Sequence, residues 1–415
     1  MTATGVIETP TQLLGGGRVV TPVGVLRDAW VQVTAGRIAQ IAPSMPDVDA
    51  PVVDLVGAWL LPGYIDLHMH GGGGHSVADS PESMEGAVAY HRSHGTTATL
   101  VSLMTAPEAE LSEQLGWAAE LARRGALPRG YVLGSHLEGP FLSPQRRGAQ
   151  NPAHMIAPDP LLLERLRAIA GETLRMVTIA PELDGALPLI ETLSTAGVIV
   201  AMGHSDANYE QARAGIGAGA GHATHLFNAM RPLHHREPGL VGAALEAGLT
   251  CELINDGRHV HPAVVRLVFN LISSPVLVTD AIDATGVGDG RFELGGQEVQ
   301  VHGDEARLAT SGSLAGSTLT MDRALRRTVK ESGLSVERAS AAASANPARV
   351  LGLDHELGSI APGRRADLVV LDDDLQLTAV MAGGTWCDTA RPQSRPDWLR
   401  QSPAATRSVV LPRRP

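Results

Sequence analysis

Eight short apolar runs, each bounded by glycine, proline or polar turn residues, recur between residues 64 and 280 with helix-like segments between them. They cover 64–69, 96–101, 131–137, 173–179, 197–203, 220–225, 250–255 and 275–280. The intervening stretches, such as PESMEGAVAYHRSHG, APEAELSEQLGWAAELARRG and DPLLLERLRAIAG, carry helical periodicity, and TMDRALRRTVKESG follows the last run as a closing helix. Strands that alternate with helices lie parallel, and eight such units point to a sheet closed on itself rather than an open one. The expected fold class is therefore α/β, a (β/α)₈ TIM-like barrel. No tandem repeat exists beyond this architectural one.

A barrel of about 250 residues leaves part of a 415-residue chain to explain. The two ends read alike. GRVVTP, DAWVQVTAGRIAQIAP and APVVDLVGAWLLPG near the start, and ELGSIAPGRRADLVVLDDDLQLTAVMAGGTWC near the finish, alternate apolar and polar residues between turn signals. We expect one small β-sandwich domain formed from both termini. The expected division is 1–61 and 357–390 for that domain, 62–356 for the barrel, and a mobile tail over 391–415, where Pro, Arg and Ser dominate.

The net charge of -11 argues against a nucleic-acid partner, although local Arg and His can still form an anion pocket. The start has no basic stretch followed by an apolar run, and no run of about 18 apolar residues occurs anywhere. Only two cysteines are present, Cys251 and Cys387. A reduced, cytoplasmic protein with no membrane association is expected.

The first strand reads Ile65-Asp66-Leu67-His68-Met69-His70. Side chains alternate along a strand, so Ile65, Leu67 and Met69 face the helices while Asp66, His68 and His70 face the barrel axis. Barrel interiors are normally filled with branched apolar residues, so a polar line there needs a reason. Two imidazoles at i and i+2 can share one cation. Gly71–Gly74 follow at once and mark the strand end. The third strand ends in HLEGPFLSP with His136 and Glu138 on one face, the fifth brings His204 to its tip, and the sixth brings His222 and His225. Any one of these could be a satisfied structural group. Ligand-type residues at four strand tips together point to a metal, and a borderline cation such as zinc suits the mixed set. Asp280 closes the eighth strand, opposite the first. It could exchange protons with a water molecule, or serve as a further ligand or an N-cap. The loops FNAMRPLHHREPG and INDGRHVHP add Asn228, Arg231, His234, His235, Arg236, Arg258, His259 and His261, a set whose guanidinium forks match phosphate oxygens.

At LPGYIDLHMHG, HLEGPFLSP, GHSDA, THLFNAMRPLHHREPG, NDGRHVHP, VTDA and LAGSTLTMD the chain resembles the N-acetylglucosamine-6-phosphate deacetylases of the amidohydrolase superfamily. These stretches run from Leu61 to Asp322 in order and span the whole barrel. The resemblance implies hydrolysis of N-acetyl-D-glucosamine 6-phosphate to D-glucosamine 6-phosphate and acetate. It implies Glu138, His204 and His225 as ligands of the main metal, His68 and His70 as a pair for a second, and Asp280 as the acid/base. It implies one or two divalent cations per subunit, zinc first, with iron, cobalt or manganese as alternatives. Substrate contacts implied are Ala149, Gln150, Asn228, Ala229, His259, Leu314, Ala315 and Gly316. Arg236 resembles an arginine that reaches the neighbouring subunit's phosphate site, which implies a homodimer.

One departure concerns the sugar. The family usually has Gly-x-His after this EGPFLSP stretch, whereas here GAQ places Gln150 at the histidine's position, with His154 four residues on. Glutamine donates and accepts hydrogen bonds but carries no charge. Other readings are an amidohydrolase for another N-acyl sugar phosphate or a cyclic amide, a scaffold, and a sugar-phosphate sensor. Many cyclic amidases bridge two metals with a carboxylated barrel lysine. The only lysine, Lys330, lies in a helical stretch after the eighth strand, which counts against that chemistry.

Overall fold

The computed structural model describes residues 10–125 and 131–387; the expected tail over 391–415 lies outside the described residues. All eight anticipated strands are present and lie parallel, in sequence order: Tyr64–Asp66, Thr96–Met104, Tyr131–Glu138, Leu174–Ile179, Ile199–Met202, His222–Ala223, Thr250–Ile254 and Pro275–Val278. Bonds beyond the last regular strand residues close the gap between the first and eighth. Asp280 N donates to His68 O at 2.8 Å, and His70 N donates to Ala281 O at 2.8 Å.

The helices start where side chains can satisfy their free N–H groups. Ser80 Oγ accepts from Ser83 N ahead of the helix Pro81–Ser93, with Pro81 at the first helical position. Asp159 and Pro160 do the same for the helix Pro160–Ala170, whose Leu162, Leu163, Leu166 and Ala170 are buried at helical spacing. Asn208 and Gln211 form a reciprocal capping box on the helix Tyr209–Gly217. The expected closing helix is Met321–Lys330. Lys330 sits at its end and pairs with Asp374, on the surface.

Strands from both ends of the chain form a second eight-stranded sheet. Its N-terminal and C-terminal parts join where Leu368–Leu371 pairs antiparallel with Trp59–Pro62. It has its own core, including Leu14, Val31, Leu60, Ile360 and Leu368. No helix among the described residues is long and apolar enough to cross a membrane.

A third sheet was not anticipated. Gly290–Leu294, Gln297–His302 and Glu305–Leu308 form an antiparallel meander. Its buried residues pack on Ala149, Ile282, Ala284 and Ala315, beside the open ends of the barrel strands. Gly295 and Gly296 take positive φ (56° and 74°) in its first turn, a conformation that costs glycine little.

Candidate metal centre and active site

Five candidate ligands and Asp280 leave the C-terminal ends of five barrel strands. Glu138 is the last residue of the third strand. His204, His225 and Asp280 each lie two residues beyond the fifth, sixth and eighth. These three adopt positive φ, at 46°, 27° and 50°. Such backbone costs a non-glycine residue about 1–3 kcal/mol, and it recurs here where side chains must turn inward.

The second nitrogen of each ring decides what the first can do. His68 Nδ1 donates to Glu252 Oε2 at 3.0 Å, His70 Nδ1 to the Ser102 carbonyl at 2.9 Å, and His204 Nδ1 to the Arg146 carbonyl at 3.0 Å. Carbonyls and carboxylates only accept, so each Nδ1 carries the proton and a neutral ring leaves its lone pair on Nε2. Those lone pairs converge. His68 Nε2 lies 3.1 Å from His70 Nε2, and His204 Nε2 lies 3.1 Å from His225 Nε2. Glu138 Oε1 is 3.1 Å from both His204 and His225 Nε2 and 3.4 Å from His68 Nε2, while Oε2 is 3.3 Å from His70 Nε2. Two triads therefore share one carboxylate: His68, His70 and Glu138, and Glu138, His204 and His225. Facing lone pairs at this separation repel unless an electrophile lies between them. Tetrahedral zinc with bonds of about 2.0–2.1 Å would space its ligands by about 3.3 Å, so the donor set fits a divalent cation. His225 Nδ1 is buried without a partner among the described residues.

Electrostatics agree with this geometry. Burial opposes the charged form of Glu138, but His68 and His204 beside it hold its carboxyl well below the usual range. Burial likewise opposes a proton on His70, yet Asp280 and Glu138 raise it to about 9. Without a cation the cluster therefore gathers protons that a cation would displace. Asp280 Oδ1 stands 3.2 Å from His70 Nε2 and 3.6 Å from His68 Nε2. Burial raises its pKa, but His68 and His70 bring it below the ordinary value, so it is ionised and free to accept a proton.

His136 does not join the cluster. Ser102 Oγ and Thr178 Oγ1 occupy its two ring nitrogens, and burial, with His68 nearby, lowers it to about 3. It is a neutral structural group. His222 is likewise turned away, toward Glu252.

A cavity of about 310 Å³ opens above the triads. Ala149, Gln150, Asn228, Ala229, His259, Leu314 and Gly316 all line it. Ala315 does not. Leu314 and Ala315 are in extended pairing with Arg307 and Ala306, so alternate side chains face opposite ways, and Ala315 points into the apolar contact under the meander. Arg236 lies outside this cavity, in a separate hollow with Tyr209 and Arg231. Gln150 lines the cavity but is already engaged: Nε2 donates to Glu138 Oε2 at 2.7 Å, and Oε1 accepts from Thr105 N at 2.9 Å. It fixes the shared carboxylate instead of being wholly free for a sugar. His259 is held by Asp256, 2.7 Å from its Nδ1. Arg258 pairs with Glu305 of the meander, and His261 caps the helix Pro262–Leu271.

Among the residues of this region that the sequence did not single out are Arg146 and Glu252. Arg146 lines the cavity, with Nε donating to Asp206 Oδ1 at 2.8 Å. Glu252, fully buried in the seventh strand, holds His68. A lone carboxylate inside the apolar run TCELI was the available signal for it.

A parallel eight-stranded barrel with convergent His and Glu at its strand tips defines a class of metal-dependent hydrolases, and the chain belongs to the amidohydrolase family, whose sequence model matches residues 59–387. Relatives at 36–41% identity are deacetylases of amino-sugar 6-phosphates, in agreement with the motifs. It is 41% identical to N-acetylgalactosamine-6-phosphate deacetylase of Escherichia coli O157:H7, over 90% of this chain and 98% of that one. It is 37% identical to N-acetylglucosamine-6-phosphate deacetylase of Bacillus subtilis, over 88% and 94%. The solved structure of a mutant N-acetyl-D-glucosamine-6-phosphate deacetylase from Mycobacterium smegmatis, in complex with N-acetyl-D-glucosamine-6-phosphate, superposes with a TM-score of 0.86 at 42% identity, covering 91% of this chain and 99% of that one.

Proposed function

We propose that the protein hydrolyses N-acetyl-D-glucosamine 6-phosphate to D-glucosamine 6-phosphate and acetate, in the cytoplasm and as a homodimer. The observation that carries this reading is Asp280, ionised and 3.2 Å from a ligand histidine, on the wall of a cavity above two triads that share Glu138. Glu138, His204 and His225 would hold the principal cation, and His68 and His70 with Glu138 a second; zinc suits these donors, as do iron, cobalt and manganese. When bound, the cation supplies Lewis acidity toward the acetamide carbonyl and a water nucleophile near neutral pH.

The chain's own groups do the rest. Asp280 takes the proton of the attacking water as the carbon–oxygen bond forms. It returns that proton to the amide nitrogen as the carbon–nitrogen bond breaks, so the neutral amine leaves with acetic acid, which gives its remaining proton to solvent and becomes acetate. Gln150 keeps Glu138 in one orientation throughout. Asn228, Ala229, Leu314 and Gly316 are the proposed walls for the sugar ring, with Ala149 beside them. His259, Arg146 and, from the partner subunit, Arg236 are the proposed phosphate contacts. Positioning by a phosphate remote from the reacting carbonyl lowers the barrel's task to holding a near-attack geometry.

The E. coli relative's name favours a second reading, the galactosamine epimer as substrate. Acetate release measured by NMR on both phosphorylated epimers and on unphosphorylated N-acetylglucosamine separates these. The expected result is the glucosamine epimer as the better substrate, with kcat/KM at least about 10²-fold above the unphosphorylated sugar. Faster turnover of the galactosamine epimer would transfer the assignment to it. No acetate from either phosphate would refute both.

A further inference from the structure

Glu252 is fully buried in the barrel, and the reaction described above gives it no part. Its Oε2 accepts from His68 Nδ1 at 3.0 Å and from the backbone N–H of His225 at 3.0 Å. Its Oε1 meets His222 Nε2 at 3.1 Å. One carboxylate thus touches a member of each triad. The four ligand histidines differ in what stands behind them. His70 and His204 lean on neutral carbonyls, and His225 Nδ1 has no partner among the described residues. Only His68 is backed by a charge. A carboxylate behind a ligating imidazole fixes its tautomer and makes the distal nitrogen a better donor.

Charge balance points the same way. Asp66, Glu138, Glu252 and Asp280 are all buried here, and among the described residues no lysine or arginine is paired with any of them. Buried ions need compensation, and divalent cations at the two triads would supply it.

We propose that Glu252 is a positioning residue for a second cation: it holds His68 as the Nδ1–H tautomer, aims Nε2 at the His70–Glu138 triad, and supplies the buried negative charge that makes this pair a cation site. The proposal rests on the reading that both triads hold cations. The test is zinc titration of chelator-stripped full-length protein against a chromophoric competitor, with bound zinc counted by mass spectrometry. Wild type, Glu252→Gln and Glu252→Asp are compared, and thermal melting reports folding. Glutamine keeps the shape and removes the charge; aspartate keeps the charge and shortens the reach.

Wild type is expected to bind two zinc ions. Glu252→Gln is expected to bind the second about 10–100-fold more weakly while the first is unaffected, and Glu252→Asp to recover part of the loss. A second zinc bound by Glu252→Gln with wild-type affinity would overturn the proposal. So would failure of both variants to fold, which would make Glu252 a folding residue. Wild type binding a single ion would instead remove the two-cation reading beneath it.

Discussion

Replacing Asp280 with Asn is expected to lower kcat for acetate release by about 10³–10⁴-fold while leaving bound metal unchanged. Asparagine matches aspartate in size and can still hydrogen-bond, but it cannot take a proton from water. Asp280 is asked to act twice, first as base and then as acid, so the loss belongs at the upper end for a single proton-transfer group. Its backbone also joins the eighth strand to the first through the bond to His68 O at 2.8 Å, and that bond does not involve the side chain. The barrel should therefore close as before. Steady-state kinetics with parallel metal analysis checks the result. Loss of metal together with loss of turnover would make Asp280 a ligand, not a proton carrier. Near-normal kcat would remove it from the mechanism.

The largest effect is expected from Glu138→Ala. Glu138 is the only residue common to both triads, with Oε1 3.1 Å from His204 and His225 and Oε2 3.3 Å from His70. Its removal leaves paired imidazole nitrogens facing one another, with Asp280 beside His68 and His70 and no carboxylate at His204 and His225. The purified variant should contain almost no bound metal, and turnover should fall by at least about 10⁵-fold, most of what a metal hydrolase contributes. Because the cation and Asp280 act as one unit, adding Asp280→Asn to Glu138→Ala should cost little more. A double variant slower by the product of the two single effects would show that they act independently.

Much of this was legible in the sequence because the chemistry is written against the grain of the fold. His68 and His70 stood out as polar groups on the axis side of an apolar strand, and Glu138, His204 and Asp280 stood out at strand ends. The eight strands were legible because each is apolar and bounded by turn residues. What escaped was set by tertiary direction. Glu252 lies mid-strand, where only the barrel's closure reveals that it faces His68. Gln150 read as a sugar contact because sequence cannot show that its amide is already committed to Glu138 and Thr105. Ala315 shared a motif with two true cavity residues but faces the opposite side of the same extended segment. The meander at 290–308 carries hairpin signals, Gly-Gly and Gly-Asp between alternating residues, that the stronger barrel pattern masked.

The proposed reaction requires a cation at Glu138, His204 and His225 acting together with Asp280. The most direct test strips the protein of metal, returns zinc in measured fractions, and follows acetate released from N-acetyl-D-glucosamine 6-phosphate at each step. Activity should be absent in the stripped protein and rise in proportion to bound zinc until the sites fill. Full turnover by protein containing no stoichiometric metal, or none from the zinc-replete protein, would contradict it.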